Sequence, residues 1–164
     1  MLSKKMQELM NNQIQAEFYS AQLYLAMSVY SESENFKGFA HWLKVQYQEE
    51  TSHGMKFLEH IVERGGEVEL KSIDAPPVKF GSMLKLFEEV LAHEKKVTAM
   101  INNLYEAALK EKDYASQIFL QWFISEQVEE EANATEIVAQ LKMIGDKSVG
   151  GLFQLDHALG HRKG

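Results

Sequence analysis

Residue types that bind metal ions recur in this chain at a constant distance of 77 residues. The first half carries Glu17, Glu49, Glu50 and His53, and the second half carries, 77 positions further on, Glu94, Glu126, Gln127 and Glu130. Several of these residues stand where a helical pattern would place a buried apolar side chain. Buried carboxylates that face one another cost much free energy unless a cation neutralises them. The repeat therefore indicates a fold in which two helical half-sites face each other around metal ions.

The composition places these half-sites in one all-α domain covering residues 1–164. The chain has 164 residues, of which 45% are hydrophobic, and this length suffices for one substantial core. It contains two prolines and long runs of Leu, Glu, Lys, Gln, Ala and Met, which favour helix. Runs of residues that would favour a sheet are missing.

Charge and cysteine content exclude several classes of protein. A net charge of −7 argues against nucleic-acid binding, which normally leaves a basic surface. Without cysteine, the chain forms no disulfide, iron–sulfur cluster or thiolate zinc site. The sequence begins without the apolar segment of a signal peptide, and no window is apolar enough to span a bilayer. We therefore expect a cytoplasmic protein with neither a nucleic-acid nor a membrane partner.

Hydrophobic periodicity predicts a bundle of four long helices over about residues 4–144, then a short C-terminal helix over about 147–160. The first long helix ends near residue 34, the second runs from about 38 to Gly65-Gly66, the third begins at Ser82 and the fourth near Asp113. The connection over about residues 67–81 contains Pro76-Pro77, which a helix interior would not tolerate. A connection of this length can cross the whole height of a bundle, so the second and third helices are expected to run parallel.

The apolar stripe of each long helix is interrupted about 12 residues after the helix begins, roughly 18 Å along its axis. This depth is near the middle of each helix, so the interruptions can meet at one level of an antiparallel bundle. Two helices contribute an i, i+3 pair on one face, and the other two contribute a single carboxylate. The pairs are Glu50 with His53 and Gln127 with Glu130, and the single carboxylates are Glu17 and Glu94. Carboxylates with one imidazole suit Fe(II), Mn(II) or Zn(II) better than copper.

One Glu from each of two helices, with Glu-x-x-His from the other two, is the ligand pattern of ferritin-like di-iron proteins. The second half departs from it, since Gln127-x-x-Glu130 has no histidine, and two inequivalent metal positions are expected. With its long crossover and short fifth helix, the chain resembles a bacterial non-haem ferritin over essentially its whole length. The resemblance implies a ferritin-like four-helix bundle and a homo-oligomeric shell of 24 copies, with the fifth helices lining four-fold channels.

The resemblance also implies roles for individual residues. Glu17, Glu50 and His53 would bind a first iron, and Glu50 would bridge to a second iron held with Glu94 and Glu130. Gln127 would lie beside the second iron, and Tyr24 corresponds to a redox-active tyrosine of the family. Glu49, Glu126, Glu129 and again Glu130 match a possible third iron position just inside the shell. Ser52 stands where haem-containing relatives place a methionine, so no haem is expected.

Simpler interpretations remain open for some of these positions. Glu49, Glu126 and Glu129 lie in glutamate-rich surroundings, where a solvated helix face is a serious alternative to metal ligation. A structural role for Gln127 is as good an interpretation as direct ligation. Tyr24 would be a core tyrosine in most helices.

The expected function is iron storage coupled to ferroxidase activity. Fe(II) would be oxidised by dioxygen or hydrogen peroxide at the di-iron centre, and Fe(III) would be deposited in the shell as a hydrated oxide. The main alternative is a di-iron peroxidase or oxygenase of the same fold that stores no mineral. A second alternative is a non-catalytic bundle whose acidic stripe binds cations for structural reasons only.

Overall fold

A computed structural model describes residues 1–145 and 148–163. Within these residues the chain forms five helices and no strand, namely α1 Lys4–Ser33, α2 Lys37–Glu63, α3 Met83–Glu111, α4 Tyr114–Ile144 and α5 Val149–Leu159. The predicted all-α fold is confirmed, with helix bounds close to those expected. The predicted start of the fifth helix at 147 and the last residue, 164, lie outside the described residues. None of the described helices has the combined length and hydrophobicity that a bilayer span requires.

The helices begin where oxygen atoms of side chains can accept hydrogen bonds from their first turns. Four helices carry their own cap: Ser3, Ser82, Asp113 and Ser148 each accept from the backbone N–H three residues on, at 3.1 to 3.3 Å. Helix α2 has no cap of its own, and Asp156 of α5 supplies it by accepting from the N–H groups of Gly38 and Phe39, both at 2.9 Å. A Cβ at residue 38 would lie 1.5 Å from the Asp156 carbonyl oxygen, so only glycine permits this close packing of α5.

The long helices form two antiparallel hairpins that pack together. Helix α1 pairs with α2, and α3 pairs with α4, while α5 packs mainly on α2. The end of α1 meets the start of α3, where the Ser31 hydroxyl lies 3.8 Å from Met83 Sδ, and Ser20 meets His93 further along. Helices α1 and α3 are therefore antiparallel, and α2 and α3 run parallel, as predicted. The last two face each other across the core through Phe39 and Phe87, whose ring centroids are 5.5 Å apart.

The apolar core is divided into two halves along the bundle. One half lies at the α5 end and includes Tyr24, Phe39, Leu43, Phe87 and Leu141. The other lies at the opposite end and includes Met6, Phe57, Ile61, Ile101 and Phe123. These residues belong to the apolar stripes of the sequence, and burying such side chains contributes about 1.5–3 kcal/mol each. The layer between the two halves is polar, and it is the level at which the interrupted stripes were expected to meet.

Candidate metal centre

All four long helices place polar side chains into the layer between the two halves of the core. Helices α1 and α3 each contribute one carboxylate, and α2 and α4 each contribute an i, i+3 pair that points inward from one face. These residues are Glu17, Glu94, Glu50 with His53, and Gln127 with Glu130, and none is more than 4% exposed. Because charged residues are almost never buried without partners, the layer needs either protons or bound cations.

Three residues of this layer converge closely enough to hold one metal ion. Glu17, Glu50 and His53 each offer a ligand atom, and these atoms all lie within 4.8 Å of one another. His53 Nδ1 is 3.4 Å from Glu50 Oε2. Two oxygens and one imidazole nitrogen form a donor set that suits Fe(II), Mn(II) or Zn(II).

Two oxygen atoms of this group lack a hydrogen-bond donor. Among the described residues, none donates to Glu17 Oε2 or Glu50 Oε2, although both atoms are buried. The other oxygen of Glu17 accepts a 2.8 Å hydrogen bond from Gln13 Nε2. An unsatisfied buried acceptor costs about 1–3 kcal/mol, and more when it is charged. A cation bound by these two oxygens would remove this cost, so the residues present fit a metal ion.

The carboxylates of α3 and α4 lie beside this group and are held by polar neighbours. The Tyr24 hydroxyl donates to Glu94 Oε1, and Gln127 Nε2 donates to Glu94 Oε2 at 3.2 Å. Gln46 of α2 donates to Glu130 Oε2 at 2.9 Å. Both oxygens of Glu94 and one oxygen of Glu130 are therefore held by hydrogen bonds.

Burial raises the pKa of the four glutamates in this layer. Desolvation, reinforced by the charge of a neighbouring carboxylate, raises the pKa of Glu17 and of Glu50 well above the usual range. The same two causes raise the pKa of Glu130 to about 8. Desolvation also raises the pKa of Glu94, against the opposing effect of the hydrogen bonds from Tyr24 and Gln127. Without metal the layer holds protons at neutral pH, and a metal ion would displace them.

The residues of the expected third iron position are less closely grouped. Glu126 Oε1 lies 3.9 Å from His53 Nε2, Glu49 is occupied by an ion pair with Arg162, and Glu129 is exposed. In the described part of the chain, these three carboxylates do not meet within the 4.8 Å that defines the first group. The third position remains a prediction.

Two supporting glutamines were not identified from the sequence. Gln13 stands one helical turn before Glu17, and Gln46 one turn before Glu50, and both are buried. Their partners at the 77-residue offset are apolar, Val90 and Phe123, so the repeat did not include them. The sequence signal that could have revealed them is the one that pointed to the candidate ligands, namely a polar residue in an apolar stripe.

Aromatic side chains fix the imidazole of this group. The rings of Trp122 and Phe123 stand edge-on to His53, with centroid distances of 5.3 and 5.8 Å. Trp122 is 40% exposed, and Lys56 Nζ lies 3.3 Å from the centroid of its indole ring. The imidazole is thus held from one side by α4 while its nitrogens face the carboxylates.

The chain is similar to known proteins over nearly its whole length. The ferritin family model, described as a ferritin-like domain, matches residues 7–144. The bacterial non-heme ferritin of Bacteroides fragilis (strain 638R) is 46% identical over 162 residues, which cover 99% of this chain and 100% of that protein. The bacterial non-heme ferritin of Staphylococcus aureus (strain MRSA252) is 40% identical over 162 residues, covering 99% of this chain and 97% of that protein.

Solved structures of an archaeal relative superimpose on the whole chain. A novel open-pore ferritin from Archaeoglobus fulgidus has a TM-score of 0.97 and 47% identity, covering 99% of this chain and 100% of that one. An engineered closed form of the same archaeal ferritin also has a TM-score of 0.97 and 47% identity, covering 99% of each chain.

Proposed function

Because the chain belongs to the ferritin family, we propose that it stores iron and oxidises Fe(II) at the polar layer of its bundle. The observation that carries the oxidation step is the convergence of Glu17, Glu50 and His53, whose ligand atoms lie within 4.8 Å of one another. Two buried oxygens of this group accept no hydrogen bond from the residues that the structure describes. Iron storage follows from the family. Oxidation of Fe(II) is a more specific proposal than storage, because it requires this layer to bind two Fe(II) ions at the same time.

In this proposal the first Fe(II) binds to Glu17, Glu50 and His53. The second binds to Glu94 and Glu130, with Glu50 shared between the two ions. The four carboxylates carry four negative charges when ionised, which balance two Fe(II) ions. They leave two Fe(III) ions with an excess of positive charge. Negatively charged carboxylate oxygens stabilise Fe(III) more than Fe(II), so they favour loss of an electron from each iron. The positive charge that the carboxylates do not balance then favours binding of hydroxide or oxide by Fe(III) over its continued binding to the protein.

The neighbours of the second iron position would assist the oxidation. Dioxygen or hydrogen peroxide would accept the electrons, and Gln127 would form a hydrogen bond to the oxidant or to product oxygen. Tyr24 donates to Glu94, which places its ring where it could supply a further electron. Glu49, Glu126 and Glu129 would hold a third iron on its way from the centre.

We propose that 24 copies assemble into a hollow cytoplasmic shell that contains the oxidised iron as a hydrated ferric oxide. Support comes from the full-length match to bacterial ferritins and from the open-pore and closed forms of the archaeal ferritin. With a chain of 18.8 kDa, such a shell would have a mass of about 450 kDa. Analytical ultracentrifugation tests this part directly.

The function is tested by adding Fe(II) aerobically to the metal-free protein and following the ultraviolet absorbance of Fe(III). We expect a fast phase for about two Fe(II) per subunit, then slower uptake of many more ions. In Glu50→Ala the fast phase should be lost, because both iron positions lose a ligand. Glu59→Ala is the matched control, since Glu59 is exposed on the same helix.

Two results would overturn the proposal in different ways. If Glu50→Ala retained the fast phase, oxidation would take place somewhere other than the polar layer. A normal fast phase with fewer than a few tens of irons retained per assembly would favour a di-iron peroxidase or oxygenase without storage.

A further inference from the structure

The C-terminal tail, residues 160–163, places a cation against the acidic side of the metal centre. Arg162 Nη2 is 2.7 Å from Glu49 Oε2, and its guanidinium lies 4.4 Å from the centroid of the Trp42 ring. The carbonyl oxygen of Arg162 lies 2.8 Å from His41 Nε2. The tail is thus folded back along α2, and Arg162 reaches from α5 to the level of the polar layer.

The guanidinium contacts the Glu49 carboxylate, the Trp42 ring and the Trp42 carbonyl oxygen, and other carboxylates lie near Glu49. Glu49 is near Glu126 and Glu129, whose charges act to raise its pKa, while desolvation is the larger cause of the increase and Arg162 opposes it. The charge of Arg162 also acts on Glu130, where it opposes the effects of burial. Arg162 therefore supplies positive charge beside Glu49 and close enough to Glu130 to act on its pKa.

We propose that Arg162 is a tethered cation that competes with metal for Glu49 and must move away before Glu49 can bind an ion. The inference rests on the proposed function, since it concerns the third iron position. In this arrangement Glu49 is neutralised by the chain itself when no ion is present. A metal ion that takes Glu49 releases the tail. The competition weakens binding at this position, which suits a place that iron must leave.

The contacts of the tail are of the kind that a metal ion could displace. Arg162 and Glu49 are both partly exposed, with side chains 18% and 34% accessible, and such ion pairs are weak. A groove of about 340 Å³ between α4 and the tail has Trp42, Gln140 and Arg162 among its walls, so the side chain has space to move. Helix α5 itself stays anchored through Asp156 at the start of α2. Only the last four described residues need to shift.

The test is a double-mutant cycle on metal-free shells, with Tb(III) as a redox-inactive probe that prefers oxygen ligands. Its luminescence, excited through tryptophan, reports binding near Trp42 or Trp122, the two tryptophans of the chain. In Arg162→Gln we expect affinity at the weakest class of sites to rise about five- to tenfold, as expected for loss of a competing ion pair with a stacking contact. In the Glu49→Gln background the same substitution should change affinity less than about twofold.

Two control variants separate competition from a general loss of charge. Lys163→Gln removes the same charge from the neighbouring, exposed residue and should leave Tb(III) affinity within about twofold of wild type. Arg162→Lys keeps the charge, so its Tb(III) affinity should lie closer to that of the wild type than to that of Arg162→Gln. An increase in affinity for Lys163→Gln equal to that for Arg162→Gln would overturn the proposal, as would an effect of Arg162→Gln that persists in the Glu49→Gln background.

Amide hydrogen exchange is a second test of tail release, and its result does not depend on iron oxidation. The amides of residues 160–162 donate to carbonyls of α5 at 3.1 to 3.2 Å. We expect Tb(III) to accelerate exchange in this segment of the wild-type protein and to leave it unchanged in Glu49→Gln. Equal exchange with and without bound Tb(III) in the wild type would refute tail release. Failure of Fe(II) oxidation or storage would count against the proposed function alone, because neither Tb(III) binding nor exchange depends on it.

Discussion

Glu130→Gln should stabilise the metal-free protein by an amount that grows as the pH rises above about 4.5 and is largest above about pH 8. Glu130 is 4% exposed, and burial together with the charge of Glu94 raises its pKa from an ordinary 4.5 to about 8. Its Oε2 accepts a hydrogen bond from Gln46 at 2.9 Å. The amide oxygen of a glutamine side chain can still accept that bond, so the substitution removes the charge and preserves the shape.

The magnitude follows from the difference in proton affinity between the folded and unfolded states. The folded protein holds a proton on Glu130 that the unfolded chain releases near pH 4.5. The free energy of unfolding therefore falls as the pH rises from about 4.5, and the loss is complete above about pH 8. At about 1.4 kcal/mol per pH unit, a rise from 4.5 to about 8 corresponds to about 5 kcal/mol per subunit. The variant should lack this loss.

The measurement is urea denaturation in EDTA between pH 4.5 and 9, followed by tryptophan fluorescence at one fixed protein concentration. We expect Glu130→Gln and wild type to differ by less than about 1 kcal/mol at pH 4.5 and by up to about 5 kcal/mol in favour of the variant at pH 9. Glu129→Gln is the matched control, because Glu129 is the exposed neighbour on the same helix. A stability difference that does not change with pH would refute the reasoning. With Zn(II) added at pH 8, the order should reverse, since only the wild type keeps the full ligand set.

Three other substitutions test single contacts. Gly38→Ala would place a Cβ 1.5 Å from the Asp156 carbonyl oxygen, so α5 should detach, and hydrogen exchange should accelerate across α5 while α1–α4 stay protected. Tyr24→Phe removes the hydrogen bond to Glu94 and should cost about 1–2 kcal/mol in urea denaturation; a gain in stability would contradict this. Phe57→Ala removes a fully buried ring and should cost about 3–5 kcal/mol, and a cost under 1 kcal/mol would show that the core closes over the gap.

The fold and the burial of the candidate ligands could be predicted because both depend on helical periodicity. A carboxylate such as Glu94 in the middle of an apolar stripe has to lie in the core, whatever the detailed packing. The parallel arrangement of α2 and α3 followed from the length of the connection between them. The supporting glutamines were not predicted, because the 77-residue repeat does not include them. Gln13 pairs with Glu17 at the i, i+4 spacing of one helix, whereas the pairing of Gln46 with Glu130 on α4 depends on how the helices pack.

The contact between Arg162 and Glu49 could not be predicted from the sequence. The two residues are 113 positions apart, and their approach depends on how α5 docks. That docking depends on Gly38, which admits the Asp156 carbonyl oxygen, and on the Asp156 side chain, which caps α2. Neither residue carries a signal of this role in its local sequence. The tail therefore follows from tertiary packing, whereas the metal layer follows from periodicity.

The two halves of the 77-residue repeat differ, and this difference sets the order in which the two candidate metal positions should fill. The half with His53 has the group of ligand atoms within 4.8 Å, and two of its carboxylate oxygens are unpaired within residues 1–145 and 148–163. In the other half both oxygens of Glu94 and one oxygen of Glu130 already accept hydrogen bonds from Tyr24, Gln127 and Gln46. A cation gains more free energy where oxygens are unpaired, because no existing hydrogen bond is lost.

The half with His53 should therefore fill first. The half with Glu130 should bind its ion more weakly and release it sooner, towards the carboxylates that Arg162 faces. Stepwise titration with Zn(II) should then show two classes of site of equal number, and Glu130→Gln should weaken only the second.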